Sequence, residues 1–198
     1  MILKRIYNKL SYLLSLCYYR SKLKRFGNNS HIKSPLRIYG KNIYIGNKCI
    51  IQYKSWIEAR PLTGENIAEI RIGDGCVIGH FNEIYATKSI ILEDKVLTAD
   101  RVYLSDNLHS YNNPFLPIVD QPIRQLNTVR IGEGSWLGIG VAVIGANIGK
   151  HCVIGSNAVV TKDIPDYSVA VGIPAKVIKR YNLETGKWEK TNPDGTFL

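Results

Sequence analysis

A large aliphatic residue returns every six positions through most of this chain, and few folds accept such a period. Ile45, Ile51 and Ile57 are six apart. So are Ile72, Ile78, Ile84 and Ile90, then Leu92, Thr98 and Leu104, then Ile131, Leu137 and Val143, then Ile148, Ile154 and Val160. The next position is often glycine, as at Gly46, Gly73, Gly132 and Gly149. The fourth position after the aliphatic is small or compact, as at Cys49, Cys76, Val96, Ser135, Cys152 and Ala158. A fixed short period marks a solenoid, and a step of six marks a parallel β-helix. Each hexad gives one short strand, one inward side chain and one corner, and three hexads close a triangular coil. Sandwich strands also alternate, but they do not hold one period through so many turns. The predicted fold class is all-β, a hexapeptide-repeat parallel β-helix.

The repeat accounts for three of the four cysteines. Cys49, Cys76 and Cys152 share the small-residue slot, so they read as buried apolar side chains, with no zinc spacing and no disulfide framework. Free thiols fit a reducing, cytoplasmic setting. Cys17 stands apart, on the N-terminal segment. The formal charge of +10 is unevenly placed: residues 1–57 hold twelve of the 26 Lys and Arg and none of the 16 acids, the first carboxylate being Glu58. The basic character therefore belongs to the front of the chain.

That front, "MILKRIYNKLSYLLSLCYYRSKLKRFG", spaces Ile2, Ile6, Leu10 and Leu14 four apart, with Lys4, Arg5, Asn8 and Lys9 largely off the stripe. The pattern predicts an amphipathic helix followed by a basic run from Arg20 to Arg25. It lacks a small-x-small cleavage site and is too short to span a bilayer. Two placements stay open: packing on the first coil or a partner subunit, or lying on an anionic membrane surface through residues 1–27, on the inner face of the cytoplasmic membrane. No nucleic-acid module is visible, so a nucleic-acid partner is not expected. The chain divides into a basic N-terminal segment (1–36), the β-helix (37–180) and a polar tail (181–198) expected to be irregular or helical. Residues 60–69, "RPLTGENIAE", read as a turn-rich insertion between coils. The phase slips by two between Ile90 and Leu92.

From residue 105 to 128 the repeat stops, and loops that leave a rigid scaffold commonly carry function. This one contains Asp106, His109, Tyr111, three asparagines and three prolines. His80 and His151 fall at hexad corners, and His31 lies in the basic linker. A zinc centre would need convergent histidines, and no two of the four are closely spaced, so no metal is expected.

The runs "VYLSDNLHSY", "QPI", "VRIGEGSWLGIGVAVIG" and "CVIGSNAVVTKDIPDYSVAVGIPAKVIKRY" resemble the hexapeptide-repeat acyltransferases, most of all the bacterial sugar and polysaccharide O-acetyltransferases, over about residues 37–180. The resemblance implies a left-handed parallel β-helix, a homotrimer with active sites between subunits, and acetyl-CoA as acyl donor. It implies an enzyme, an O-acetyltransferase whose acceptor is a sugar hydroxyl, and the basic front suggests a membrane-associated surface-polysaccharide precursor. His109 is then the general base that takes the hydroxyl proton, a task suited to a group titrating near neutrality. Asp106 is the candidate to orient the imidazole, and amides near Gly138 the candidate oxyanion donors. Asn82 matches an asparagine that contacts substrate or the reacting centre. Gly138, Ile139, Ser156 and Thr161 are expected along the pantetheine arm, and Lys162, Lys176 and Arg180 at the nucleotide phosphates. Trp136 fills the family's tryptophan slot, with contact to substrate, contact to the donor arm and simple packing all open. The family's usual Pro-Gly turn is replaced by the shorter "VIGAN", which alters the groove wall around 144–147. Alternatives are a small-molecule acetyltransferase acting on a free sugar or antibiotic, an amino-sugar N-acetyltransferase, and a non-catalytic β-helix scaffold.

Overall fold

The computed structural model describes residues 10, 13 and 16–198. The hexads stack into three parallel sheets around one core. Face A carries Arg25–Phe26, Ile43–Ile45, Glu69–Ile72, Ser89–Leu92 and Val129–Ile131, in that order. Face B carries His31–Ile32, Ile50–Ile51, Val77–Ile78, Leu97–Thr98, Trp136–Leu137, Val153–Ile154 and Ser168–Val171. Face C carries Arg37–Tyr39, Trp56–Ala59, Glu83–Ala86, Tyr103–Ser105, Ala142–Ile144 and Val159–Val160.

Register follows the hexads. On face C the inward partners run Ile57, Ile84, Leu104, Val143, Val160, each paired with the next and each at most 1% exposed. A fully buried aliphatic of this size contributes about 1.5–3 kcal/mol, and stacking like on like leaves no gap between coils. The phase slip has a simple origin. Face A strands are longer and turn two aliphatics inward, Ile90 and Leu92 in one strand, as Ile70 and Ile72 do in the strand before it.

Corners are tight because one residue at each adopts left-handed backbone. Lys48, Lys54, Lys95 and Arg101 have φ of 56–58°, a conformation that costs a non-glycine residue about 1–3 kcal/mol and persists only where its surroundings hold it. Between faces A and B they are held by side chains of the next coil. Asn47 N–H donates to Asp74 Oδ1 at 2.8 Å, and Asp74 N–H donates to Asp94 Oδ1 at 2.8 Å. The buried cysteines sit where the repeat placed them, and Cys17 is exposed. Burial raises the Cys152 thiol above its ordinary value.

The front of the chain caps the first coil. Residues 16–22 are helical, Leu16 and Tyr19 pack on the core, and Leu23 and Phe26 are buried. Leu10, Leu13 and Tyr18 face outward. The predicted stripe through Ile2, Ile6 and Leu14 lies outside the described residues. No helix among the described residues is long and apolar enough to cross a membrane.

The tail differs from expectation. Lys176–Asn182 and Lys187–Lys190 form an antiparallel hairpin that continues face B, with Ser168 paired to Arg180 and Tyr181 to Trp188. The edge of face B supplies unpaired amides and carbonyls, and the tail satisfies them as strand.

Candidate active site

Residues 105–128 are built rather than loose. Asn107–His109 pairs antiparallel with Ile123–Gln125, setting His109 opposite Ile123. The foot of this hairpin is a buried polar knot. Asp106 is 0% exposed. Its Oδ1 accepts from Thr87 N–H (2.8 Å), Thr87 Oγ1 (3.0 Å) and Asn107 Nδ2 (3.1 Å). Its Oδ2 accepts from Lys88 N–H and Ser89 N–H, both 2.8 Å. Five donors saturate a carboxylate. Asp106 therefore anchors the hairpin to the preceding coil, and none of its five hydrogen bonds goes to His109. Gln125 completes the knot: Nε2 donates to Asp106 O at 2.7 Å, and Oε1 accepts from Thr87 Oγ1 and Thr63 Oγ1.

His109 is exposed and overhangs face C. With Leu108 and Ile123 it closes a groove of about 380 Å³ floored by Trp56, Glu83, Tyr85 and Tyr103. Register explains the floor. The outward residues flanking the buried aliphatics form ladders across the coils, Arg37–Trp56–Glu83–Tyr103 on one side and Tyr39–Glu58–Tyr85 on the other. Glu58 is 2% exposed. Its Oε2 accepts from Trp56 Nε1 at 2.8 Å and pairs with Arg37 Nε at 3.0 Å, which fixes the indole. Burial, and then the Glu58 carboxylate, raise the Tyr85 phenol above its ordinary value, so it stays a hydroxyl donor. None of these floor residues was singled out from sequence, although the triplets WIE, EIY and YLS do place bulky or acidic residues beside the inward aliphatic.

Asn82 lies in the scaffold. It occupies the inward corner slot, is 1% exposed, and donates through Nδ2 to Ala99 O at 2.8 Å and His80 O at 3.3 Å. Its Oδ1 has no partner and is also buried, so a substrate contact does not follow from its position.

The donor-side residues divide. Trp136, Gly138, Ile139 and Ser156 come together at the corner between faces B and C. A Cβ on Gly138 would lie 2.8 Å from Ser156 N and 2.9 Å from Ser156 Oγ. Glycine is thus required there by the next coil, not by a ligand. The Gly138 amide is likewise spent on Ile154 O at 2.8 Å, so it is not an oxyanion donor. Two coils earlier at this corner, His80 N–H is capped by Asp100 Oδ1 at 2.8 Å. At 139 the cap position passes to Ile, and the amides of Asp100 and Ile139 carry no backbone hydrogen bond among the described residues. Open backbone donors beside the exposed Trp136 and Ile139 suit an extended amide-bearing chain. Lys162 and Lys176 are exposed at the last coil, with Thr161 beside Lys162. Arg180 is elsewhere: it donates to Asp166 O and Gly195 O and lies over Phe197, pinning the tail. A phosphate contact does not follow from this placement. Of the other histidines, His80 Nδ1 lies 3.0 Å from Asp100 Oδ1 and His151 stacks on Tyr167. No group of three or more His, Cys, Asp or Glu converges among the described residues.

A stacked hexad scaffold with a histidine-bearing hairpin over a groove defines a class, the β-helical group transferases, and sequence comparison bears on it directly. A family model described as the hexapeptide repeat of succinyl-transferase matches residues 128–162. The Escherichia coli protein WbbJ, provisionally named as a lipopolysaccharide-biosynthesis O-acetyl transferase, is 35% identical over 189 residues, covering 84% of this chain and 96% of WbbJ. A Mycobacterium tuberculosis protein, provisionally named as an acetyltransferase, is 46% identical over 121 residues, covering 61% of this chain but only 39% of its own length. A solved structure of a single-site mutant of AntD, an N-acyltransferase from Bacillus cereus, in complex with dTDP and coenzyme A, matches with a TM-score of 0.69 at 17% identity, over 85% of this chain and 89% of that one. That is a likeness of fold. The chain belongs to the hexapeptide-repeat acyltransferases, and its fold is their left-handed parallel β-helix.

Proposed function

We propose that the protein moves an acetyl group from acetyl-CoA to a sugar hydroxyl of a surface-glycan precursor. The observation that carries this is His109, held by an anchored hairpin over a groove of aromatic and carboxylate side chains. Aromatic faces cover the apolar faces of a sugar ring, while Glu83 and the Tyr85 hydroxyl meet its hydroxyls. His109 takes the proton as the acceptor oxygen bonds to the thioester carbonyl carbon. The carbon–sulfur bond then breaks, and the imidazolium returns the proton to the leaving thiolate, giving an acetyl ester and free CoA thiol. The thioester is already activated, so no acyl-enzyme is needed. The acyl donor lies along the corner at Trp136, Ile139 and Ser156, with Thr161 beyond and Lys162 and Lys176 toward its phosphates. The names of the E. coli and M. tuberculosis relatives and the coenzyme A in the AntD complex support this reading.

Calorimetric titration of acetyl-CoA, followed by thiol release on adding sugar acceptors, tests the proposal. Absence of acetyl-CoA binding by folded protein would leave a scaffold in its place. Within the groove, Trp56→Ala should raise the KM for the sugar about tenfold or more while leaving the KM for acetyl-CoA unchanged. Equal changes in both constants would remove Trp56 from the acceptor side.

The chain acts as a homotrimer on this reading. Face B presents an outward ladder of Ile50, Val77, Leu97, Trp136, Val153 and Val169, with Leu97 43% and Trp136 47% exposed. A flat apolar stripe of this length calls for a covering subunit. Leu97→Glu should convert the trimer to monomer in sedimentation equilibrium and abolish transfer, and an unchanged mass would assign the ladder elsewhere.

A further inference from the structure

At the N-terminal end of the β-helix a second groove, of about 560 Å³, opens between the capping helix and the first coils. Lys22, Lys41 and Arg60 line it with Asn42 and Asn66. None of the three cations is in an ion pair among the described residues. No carboxylate lines the groove, and none can come from the chain before it, because residues 1–57 contain no acid. Three unneutralised cations and two amide side chains around one cleft form a site for a multiply charged anion. The half-exposed Tyr39 and the exposed Ile67 at its rim offer apolar surface to whatever the anion is attached to.

The two grooves are joined by a single strand. Trp56 floors the His109 groove, and Ala59 and Arg60, at and just past the end of the same strand, line the cationic one. Four residues of extended chain separate Trp56 from Arg60, ~13 Å. Between them the exposed Arg37 and Tyr39, with Glu58 buried beneath and paired to Arg37, give a polar and aromatic surface. A ligand lying along it would present its anionic end to Lys22, Lys41 and Arg60 and a hydroxyl to His109.

We propose that this second groove binds the diphosphate of a diphosphate-linked glycan acceptor, which rests on the reading that the His109 groove takes a saccharide. The diphosphate carries either a nucleoside or a lipid on its far side, and the chemistry recognised is common to both. The test uses the full chain and its Lys41→Ala/Arg60→Ala double variant, both exposed positions whose loss leaves the core intact. Inorganic pyrophosphate, uridine diphosphate and phosphatidylcholine vesicles with and without a polyprenyl diphosphate are titrated against each. Wild-type protein should bind pyrophosphate in a salt-sensitive manner, and the double variant should bind at least about tenfold more weakly. Tighter binding of uridine diphosphate identifies the nucleotide form, and binding of the doped vesicles alone identifies the lipid form. Either supports the site. No binding of any probe by wild type, or equal binding by both proteins, overturns it. His109→Ala keeps the cations and should retain pyrophosphate affinity. Loss of sugar-dependent thiol release with pyrophosphate binding intact would therefore defeat the transfer reading and not the phosphate site.

Discussion

His109→Ala should lower kcat for acetyl transfer by ~10²–10⁴, the contribution of a positioned general base, and leave acetyl-CoA affinity unchanged. The expectation follows from where the side chain stands. It rides on the hairpin strand Asn107–His109, over the groove floored by Trp56, Glu83, Tyr85 and Tyr103, whereas the proposed donor residues Ile139 and Ser156 stand at the corner between faces B and C. Removing it deletes the group that carries the proton from acceptor to thiolate and leaves Trp136, Ile139 and Ser156 in place, so the effect is expected on turnover. Calorimetry for binding and thiol release for turnover separate the two. A variant that keeps its rate within about tenfold would dismiss His109 as the base, and one that loses acetyl-CoA affinity would relocate it to the donor site.

Asp106→Ala should be the most destabilising single substitution in the loop region, about 3–5 kcal/mol, because it strips acceptors from one buried and two part-buried backbone amides and the Thr87 hydroxyl together. The carboxylate is wholly buried, so water cannot replace it without opening the coil. Denaturant titration should show the loss, and transfer should fall with it, since the hairpin that carries His109 is fastened through this residue and Gln125. Asp106→Asn should recover part of the stability but less of the rate, because an amide oxygen accepts fewer of those bonds. Full stability in the alanine variant would show that the hairpin is held by other means. A direct role in orienting His109 would instead appear as lost rate at unchanged stability.

The solenoid was legible because its period is enforced by packing. Each inward aliphatic must meet its copy one coil away, as Ile57 meets Ile84 and Leu104. The slip at Ile90 and Leu92 was visible as a break in phase, but not as a longer strand with two inward residues. What sequence reading lost were pairings between distant residues. Asp106 reads as a loop acid and turns out to be fastened to residues 87–89 of the previous coil. Arg180 reads as a phosphate ligand, but the returning tail brings Gly195 O to it. Glu58 is buried because Arg37 meets it from the neighbouring strand and Trp56 from two residues back on its own. The glycine at 138 was read toward a ligand, whereas its missing Cβ faces Ser156. Such errors share one origin: hexad position tells which way a side chain points and says little about what stands opposite.

The stacked coils also behave as a graduated scale. Every coil advances the helix by one strand spacing, ~4.8 Å, and its outward ladder by the same step. On the reading above, the number of coils between Arg60 and the hairpin fixes how far from the charged anchor a hydroxyl is modified. Inserting one hexad triplet between residues 72 and 90 would move Arg60, and Trp56 with it, one graduation away from the His109 hairpin. On that reading, regiochemistry is counted in whole coils.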